Sequence, residues 1–169
     1  MKIYLKYGLY YALGSILWAL ISYVLGIERM ENGNLITLIS IVIPISCIYL
    51  GIKEKRDKEN NGFITYSKAF NLGLSITAVA IVISTVFTYF HIKYINTGLI
   101  EFVKNKQYIK MQEQGMDELA IEQGLSFSEP FMTPIGFTLT SFVMSFLVGI
   151  IISLIVAAIL KRPDPQEIS

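Results

Sequence analysis

The chain has 169 residues, of which 53% are hydrophobic and 16% charged, with a net charge of +1 and a mean hydropathy of +0.55. Soluble domains carry about a quarter charged residues, so this composition argues against a water-soluble fold, and the near-neutral balance gives no basis for nucleic-acid binding. A single cysteine, Cys47, and a single histidine, His91, exclude a disulfide framework and a histidine-based metal cluster.

The charges are unevenly spread. Uncharged runs of 21 residues fill 7–27 and 32–52, one of 24 fills 69–92, and one of 31 fills 130–160. A helix rising 1.5 Å per residue needs roughly 20 residues to cross a hydrocarbon core of about 30 Å. Four such runs predict four membrane spans, at 7–27, 35–52, 69–92 and 134–160. Lipid offers the backbone no hydrogen-bond partner, so the spans are helices. A barrel would need alternating segments of about ten residues, and "LITLISIVIPISCIYLGI" does not alternate.

The first span is longer than the apolar core of a cleavable signal, and "SYVLGIER" has no small-x-small cleavage pattern, so it reads as retained. It places Gly8, Ala12, Ser15, Ala19, Ser22 and Gly26 three or four residues apart. Burial alone cannot hold helices together in lipid, whereas small residues let backbones approach closely. Similar stripes recur as Thr37, Ser40, Pro44, Cys47 and Gly51, as Ala69, Gly73, Thr77, Ala80, Ser84 and Thr88, and as Ser141, Ser145, Gly149, Ser153 and Ala157. Trp18, near mid-span, reads as a packing residue. Pro44 removes one backbone bond inside the second span, which predicts a kink and offers a hinge.

Between the second and third spans, "KEKRDKENNGFITYSK" is dense in charge. With the N-terminus inside, segments 1–6, 53–68 and 161–169 hold nine Lys and Arg in 31 residues, against five in 48 for 28–34 and 93–133. Cationic loops resist translocation, so the dense side is cytoplasmic and both termini lie inside. Lys68 and Asn71 open the third span. Lys68 either snorkels to the headgroups or, with Asn71, contacts a headgroup or substrate. His91 reads as a polar residue at the outer boundary.

Residues 93–133 are too long for a mere connector. "LIEFVKNKQYIKMQEQ" reads as a helix with Leu99, Phe102, Val103 and Ile109 partly on one face, interrupted by Gly115; "DELAIEQ" follows as a short helix with Gly124 as its C-terminal cap. "SFSEPFMTP" reads as a loop whose Thr133 caps the fourth span and whose Pro134 opens it. Three roles are open to this extracytoplasmic segment: docking on the bundle, lying in the headgroups, or binding a partner.

No Asp, Glu, Lys or Arg lies deep in any span, which argues against an ion pump, a proton-coupled carrier or an intramembrane hydrolase. No Ser-His-acid arrangement, phosphate loop or dinucleotide fingerprint occurs. No cofactor is expected, and the chain reads as a non-enzyme.

The basic hairpin followed by "GFITYSKAFNLG", a span, an acidic-leaning helical segment and the closing "GIIISLIVAAILKR" resembles the bacterial membrane-protein family known as domain of unknown function 4199. The likeness covers nearly the whole chain, and Gly62, Ala69, Phe70 and Gly73 are its most recognisable part. It implies four membrane helices and supplies no activity, so no catalytic residue is carried over. In the residues themselves, Gly62 suits a turn, Ala69 and Gly73 a close helix crossing, and Phe70 an interfacial anchor.

The expectation is an all-α, four-helix transmembrane bundle forming a single domain, with a helical extracytoplasmic insertion between helices 3 and 4, in a bacterial cytoplasmic membrane. Its partners are the lipid bilayer and a membrane-protein partner or a second copy of itself. Gly62, Lys68, Ala69, Phe70, Asn71, Gly73 and Pro44 are the candidate structural or interaction residues. A scaffold or accessory role is expected first; a small-molecule or lipid carrier acting as an oligomer, with Pro44 as hinge, is the rival.

Overall fold

A computed structural model describes residues 1–29 and 34–163, without the side chains of residue 28 and residues 34–38. Most of the turn expected at 28–34, the Thr37 side chain of the second stripe and the tail beyond residue 163 therefore lie outside the described residues. Among those described, the chain forms six α-helices and no strand: α1 Ile3–Val24, α2 Asn34–Glu54, α3 Tyr66–Phe90, α4 Leu99–Glu113, α5 Glu118–Ser128 and α6 Pro134–Leu160. Single π-helical turns follow α2 at Lys55–Glu59 and α3 at His91–Ile95.

Three helical stretches among the described residues are long and apolar enough to cross a membrane: Ile3–Val24, Tyr66–Ile95 and Pro134–Leu160. Helix α1 starts before the expected span, at Ile3 rather than residue 7. Lys6 therefore belongs to the helix, because its long stem lets the ammonium leave the apolar face. Gly26, at φ +64°, closes α1 with its N–H donated to the Tyr23 carbonyl over 3.1 Å. That left-handed conformation is cheap only without a Cβ.

The chain divides into two compact units, residues 1–84 with 144–169, and residues 85–143. In the first, small residues and branched aliphatics face inward: Ala12, Ile48, Ile52, Ala69, Ile76, Thr77, Ala80, Ser153 and Ala157 are fully buried. Large apolar residues face outward, with Leu13 and Leu17 of α1 about 60% and 59% exposed and Val42, Val82 and Ile155 similarly bare. A water-soluble protein rarely leaves so many large apolar side chains open. Small-inside, large-outside is the arrangement that lipid favours.

Glycines mark where the helices meet. A Cβ on Gly8 would stand 2.7 Å from Val79 Cβ, and one on Gly73 would stand 2.7 Å from Ser153 Oγ and 2.9 Å from its Cβ. One on Gly149 would collide with Thr77 Cγ2, and one on Gly51 would stand 2.5 Å from Ile76 Cδ1. The expected stripes thus become real crossings of α1 and α2 with α3, and of α3 with α6. Trp18 packs between α1 and α2, its Nε1 donating to Ser40 Oγ over 3.2 Å. Pro44 lies buried inside α2.

In the second unit, α4 ends in a paired capping motif. Gly115, at φ +74°, donates to the Gln112 carbonyl over 2.9 Å, while Met116 donates to that of Met111 over 3.2 Å. Asp117 caps α5, accepting from the Ala120 N–H over 2.7 Å. The expected cap at Gly124 does not form; α5 runs through it to Ser128. A Cβ there would lie 2.9 Å from Met111 Cε, so this glycine serves the approach of α5 to α4. Ile109 is exposed rather than on the packed face of α4. Part of the expected "SFSEPFMTP" loop is helical, with a 3-10 turn at Glu129–Phe131. Thr133 Oγ1 accepts from the Gly136 N–H over 3.0 Å, and Pro134 opens α6. His91 is 5% exposed and stacks on Phe87 at 5.3 Å, so its ring is packed within this unit.

Candidate functional site

Polar chemistry in the first unit gathers where α1 begins, α2 ends, α3 begins and α6 ends. Lys6 and Tyr7 rise from the second turn of α1, and both reach Glu54, the last residue of α2. Lys6 Nζ lies 2.8 Å from Glu54 Oε2 and 3.1 Å from Oε1, while the Tyr7 hydroxyl donates to Oε2 over 2.6 Å. Lys58 Nζ stands 3.9 Å from Oε1. The hydrogen bond from Lys6, then that from Tyr7, favour the ionised carboxyl and hold the Glu54 pKa below the ordinary carboxylate range. Lys55 pairs with Glu59 one turn on.

The hairpin then ties itself to the end of α6. Asn61 at φ +52° and Gly62 at φ +87° are both left-handed, and the Gly62 N–H returns to the Arg56 carbonyl over 2.8 Å. This double reversal turns the chain so that Ile64 and Arg162 exchange two backbone hydrogen bonds, each of 2.8 Å. The Arg162 guanidinium lies 5.7 Å from the centre of the Phe63 ring. Arg56 donates to the Leu160 carbonyl over 3.4 Å, placing positive charge at the negative end of α6. Arg56 also holds Asp57, with Nε 2.7 Å from Oδ1, and that bond draws the Asp57 pKa down.

Beside the hairpin lies a cavity of about 550 Å³, with Lys55, Asn60, Phe63, Thr65, Lys68 and Asn71 among its lining residues. Thr65 Oγ1 accepts from the Lys68 N–H over 3.4 Å at the start of α3. The Lys68 ammonium is exposed and has no carboxylate partner among the described residues.

The structure brings part of the predicted set together. Lys68 and Asn71 share the cavity, with Gly62 in the turn that precedes its Phe63 wall. Ala69 and Gly73 face inward on the same helix, Gly73 against Ser153 and Ile48. Phe70 stacks on Tyr66 at 6.3 Å with nearly parallel rings. Pro44 is not among the cavity residues. Sequence reasoning missed Glu54, Tyr7, Lys55 and Arg162. Glu54 had a usable signal, as a carboxylate two residues beyond an apolar run on the side that carries Lys6.

Among the described residues, no group of three or more His, Cys, Asp or Glu is placed to hold a metal ion. The arrangement presents positive charge beside amide side chains and locks the hairpin to the ends of α1 and α6. No curated protein and no solved structure matches the chain. A family model described as Protein of unknown function (DUF4199) matches residues 6–162, nearly the entire length, and the chain belongs to that family.

Proposed function

We propose that the chain is a non-enzymatic scaffold or accessory subunit of a bacterial cytoplasmic membrane. In this reading α2 is a fourth span beside the three long apolar helices, both termini and the basic hairpin face the cytoplasm, and residues 93–133 form an extracytoplasmic helical insertion. The observation that carries the role is the closed interior of the first unit. At Gly8, Gly51, Gly73 and Gly149 neighbouring helices approach so nearly that a single added carbon would meet side-chain or backbone atoms. A solute path needs room there, whereas an assembling subunit needs rigid helices with apolar outward faces. The excess of Lys and Arg in the hairpin supports its cytoplasmic placement.

A reporter fused after Ser169 behaves as cytoplasmic, and one fused after Gln114 as exported; the opposite pair of outcomes inverts the topology. For the role itself, crosslinking in native membranes followed by identification of the attached proteins yields a reproducible membrane-protein partner or a second copy. If nothing attaches and purified protein in liposomes moves solutes, the scaffold reading is replaced by a carrier acting as an oligomer. The buried hydroxyls of Thr77 and Ser153, which have no hydrogen-bond partner among the described residues, are the feature that favours that second reading.

A further inference from the structure

The cavity beside Lys68 combines features that a packing role does not require. Its volume of about 550 Å³ lies within the roughly 300–1,000 Å³ range of small-molecule sites. Two lysines, Lys55 and Lys68, line it together with Asn60 and Asn71. The Lys55 charge is shared with Glu59, while Lys68 has no carboxylate partner among the described residues. Phe63 and Leu72 give the same cavity an apolar wall. Unpaired positive charge, amide donors and apolar surface within one cleft suit an amphiphilic anion. An ammonium binds phosphate as a compact point charge, and asparagine amides add directional donors to its oxygens.

The position along the chain points the same way. Lys68 lies in the first turn of α3, and Tyr66 and Phe70 stack on each other there. Aromatic rings and lysines at a helix end are typical of the headgroup zone. We propose that this cavity holds the phosphate of an anionic lipid headgroup, with Lys68 and Asn71 as its principal contacts. This assignment rests on the membrane reading above. Lys68 supplies the net charge that separates an anionic from a zwitterionic lipid, and Asn60 and Asn71 supply orientation. The apolar wall of Phe63 and Leu72 takes the first methylenes of the acyl chains.

The test uses the full chain purified in detergent. Retained lipid is counted by native mass spectrometry after titration with phosphatidylglycerol or phosphatidylcholine. Wild type retains phosphatidylglycerol in preference to phosphatidylcholine. Lys68→Gln lowers that retention about fivefold, the loss expected for one basic residue at an anionic surface. Lys68→Arg keeps most of it, and Lys106→Gln in α4 leaves it unchanged. Equal retention by wild type and Lys68→Gln, or no preference between the two lipids, overturns the site. Displacement of the lipid by millimolar glycerol 3-phosphate keeps the phosphate chemistry but overturns its lipid source. The membrane reading fails separately, if an alkaline carbonate wash releases the chain from membranes without detergent. A chain that stays integral while its lipid retention ignores Lys68 loses only the headgroup site.

Discussion

Gly149→Ala destabilises the protein by about 1–3 kcal/mol, the usual cost of forcing an extra carbon into a filled core. The new Cβ would collide with Thr77 Cγ2 and stand 3.0 Å from Thr77 Oγ1. Thr77 is fully buried and β-branched, so it has little freedom to turn away. The substitution also brings a gain, since alanine favours a helix over glycine by about 1 kcal/mol. The sign therefore depends on whether the overlap can relax, and at this crossing both partners sit on long helices. Thr77→Ala removes the colliding methyl and hydroxyl together and leaves only the Cβ, 3.2 Å away. The double variant Thr77→Ala with Gly149→Ala accordingly recovers most of the lost stability, giving a coupling of about 1–2 kcal/mol in a double-mutant cycle. Gly14→Ala is the control. Its Cβ would meet only Ile43 Cγ2, at 3.2 Å, so the neighbour need give by only a few tenths of an ångström. Unfolding in mixed micelles with rising denaturing detergent, followed by Trp18 fluorescence, measures all four variants. A coupling near zero between Thr77→Ala and Gly149→Ala would mean that α3 and α6 do not cross there.

These crossings were the most legible feature of the chain after the helices themselves. Charge-free length places α1, α3 and α6, because a long uncharged run with no strand alternation has one stable backbone arrangement. Small residues at helical spacing then foretell Gly8, Ala12, Ala69, Gly73, Gly149 and Ser153 as inward-facing. Spacing alone cannot say how far a stripe stays packed. Ser145 belongs to the same ladder as Gly149 and is exposed. Gly124 failed for a related reason. A glycine after a short polar helix has the composition of a cap, and only the position of Met111 on α4 reveals that it serves close approach instead. The candidate site was half visible. Lys68 and Asn71 stand out as polar residues at the start of an apolar run. Their cavity mates Lys55 and Asn60, and the pairing of Ile64 with Arg162, depend on the path of the hairpin. That path turns on the left-handed pair Asn61 and Gly62, and the end of α6 that it meets lies about a hundred residues away in sequence. Local pattern carries no record of such an encounter.

Acid selectively weakens the link between α1 and α2. Lys6 and Tyr7 both bond the ionised form of Glu54, so its pKa in the folded chain lies below that of the unfolded chain. The stabilisation is therefore complete above the unfolded value of about 4.3 and drains away as pH falls through the folded value. Glu54→Gln is less stable than wild type at pH 7, and the gap between the two closes as the pH is taken from about 5 to below 4. Other carboxylates titrate over the same range in both proteins, so the difference profile isolates Glu54. The two donors contribute unequally. Lys6 is partly exposed, so water and salt screen its ion pair. Tyr7 is buried, at 9% exposure, and its hydroxyl bonds a charged acceptor. Bonds of that kind contribute about 1.5–3 kcal/mol, and Tyr7→Phe is expected at the lower end because Glu54 keeps Lys6. Raising salt at pH 7 narrows the gap between wild type and Lys6→Gln while leaving that between wild type and Tyr7→Phe nearly unchanged. A Glu54→Gln gap that persists undiminished below pH 4 would show that shape, rather than charge, holds this end of the helices together.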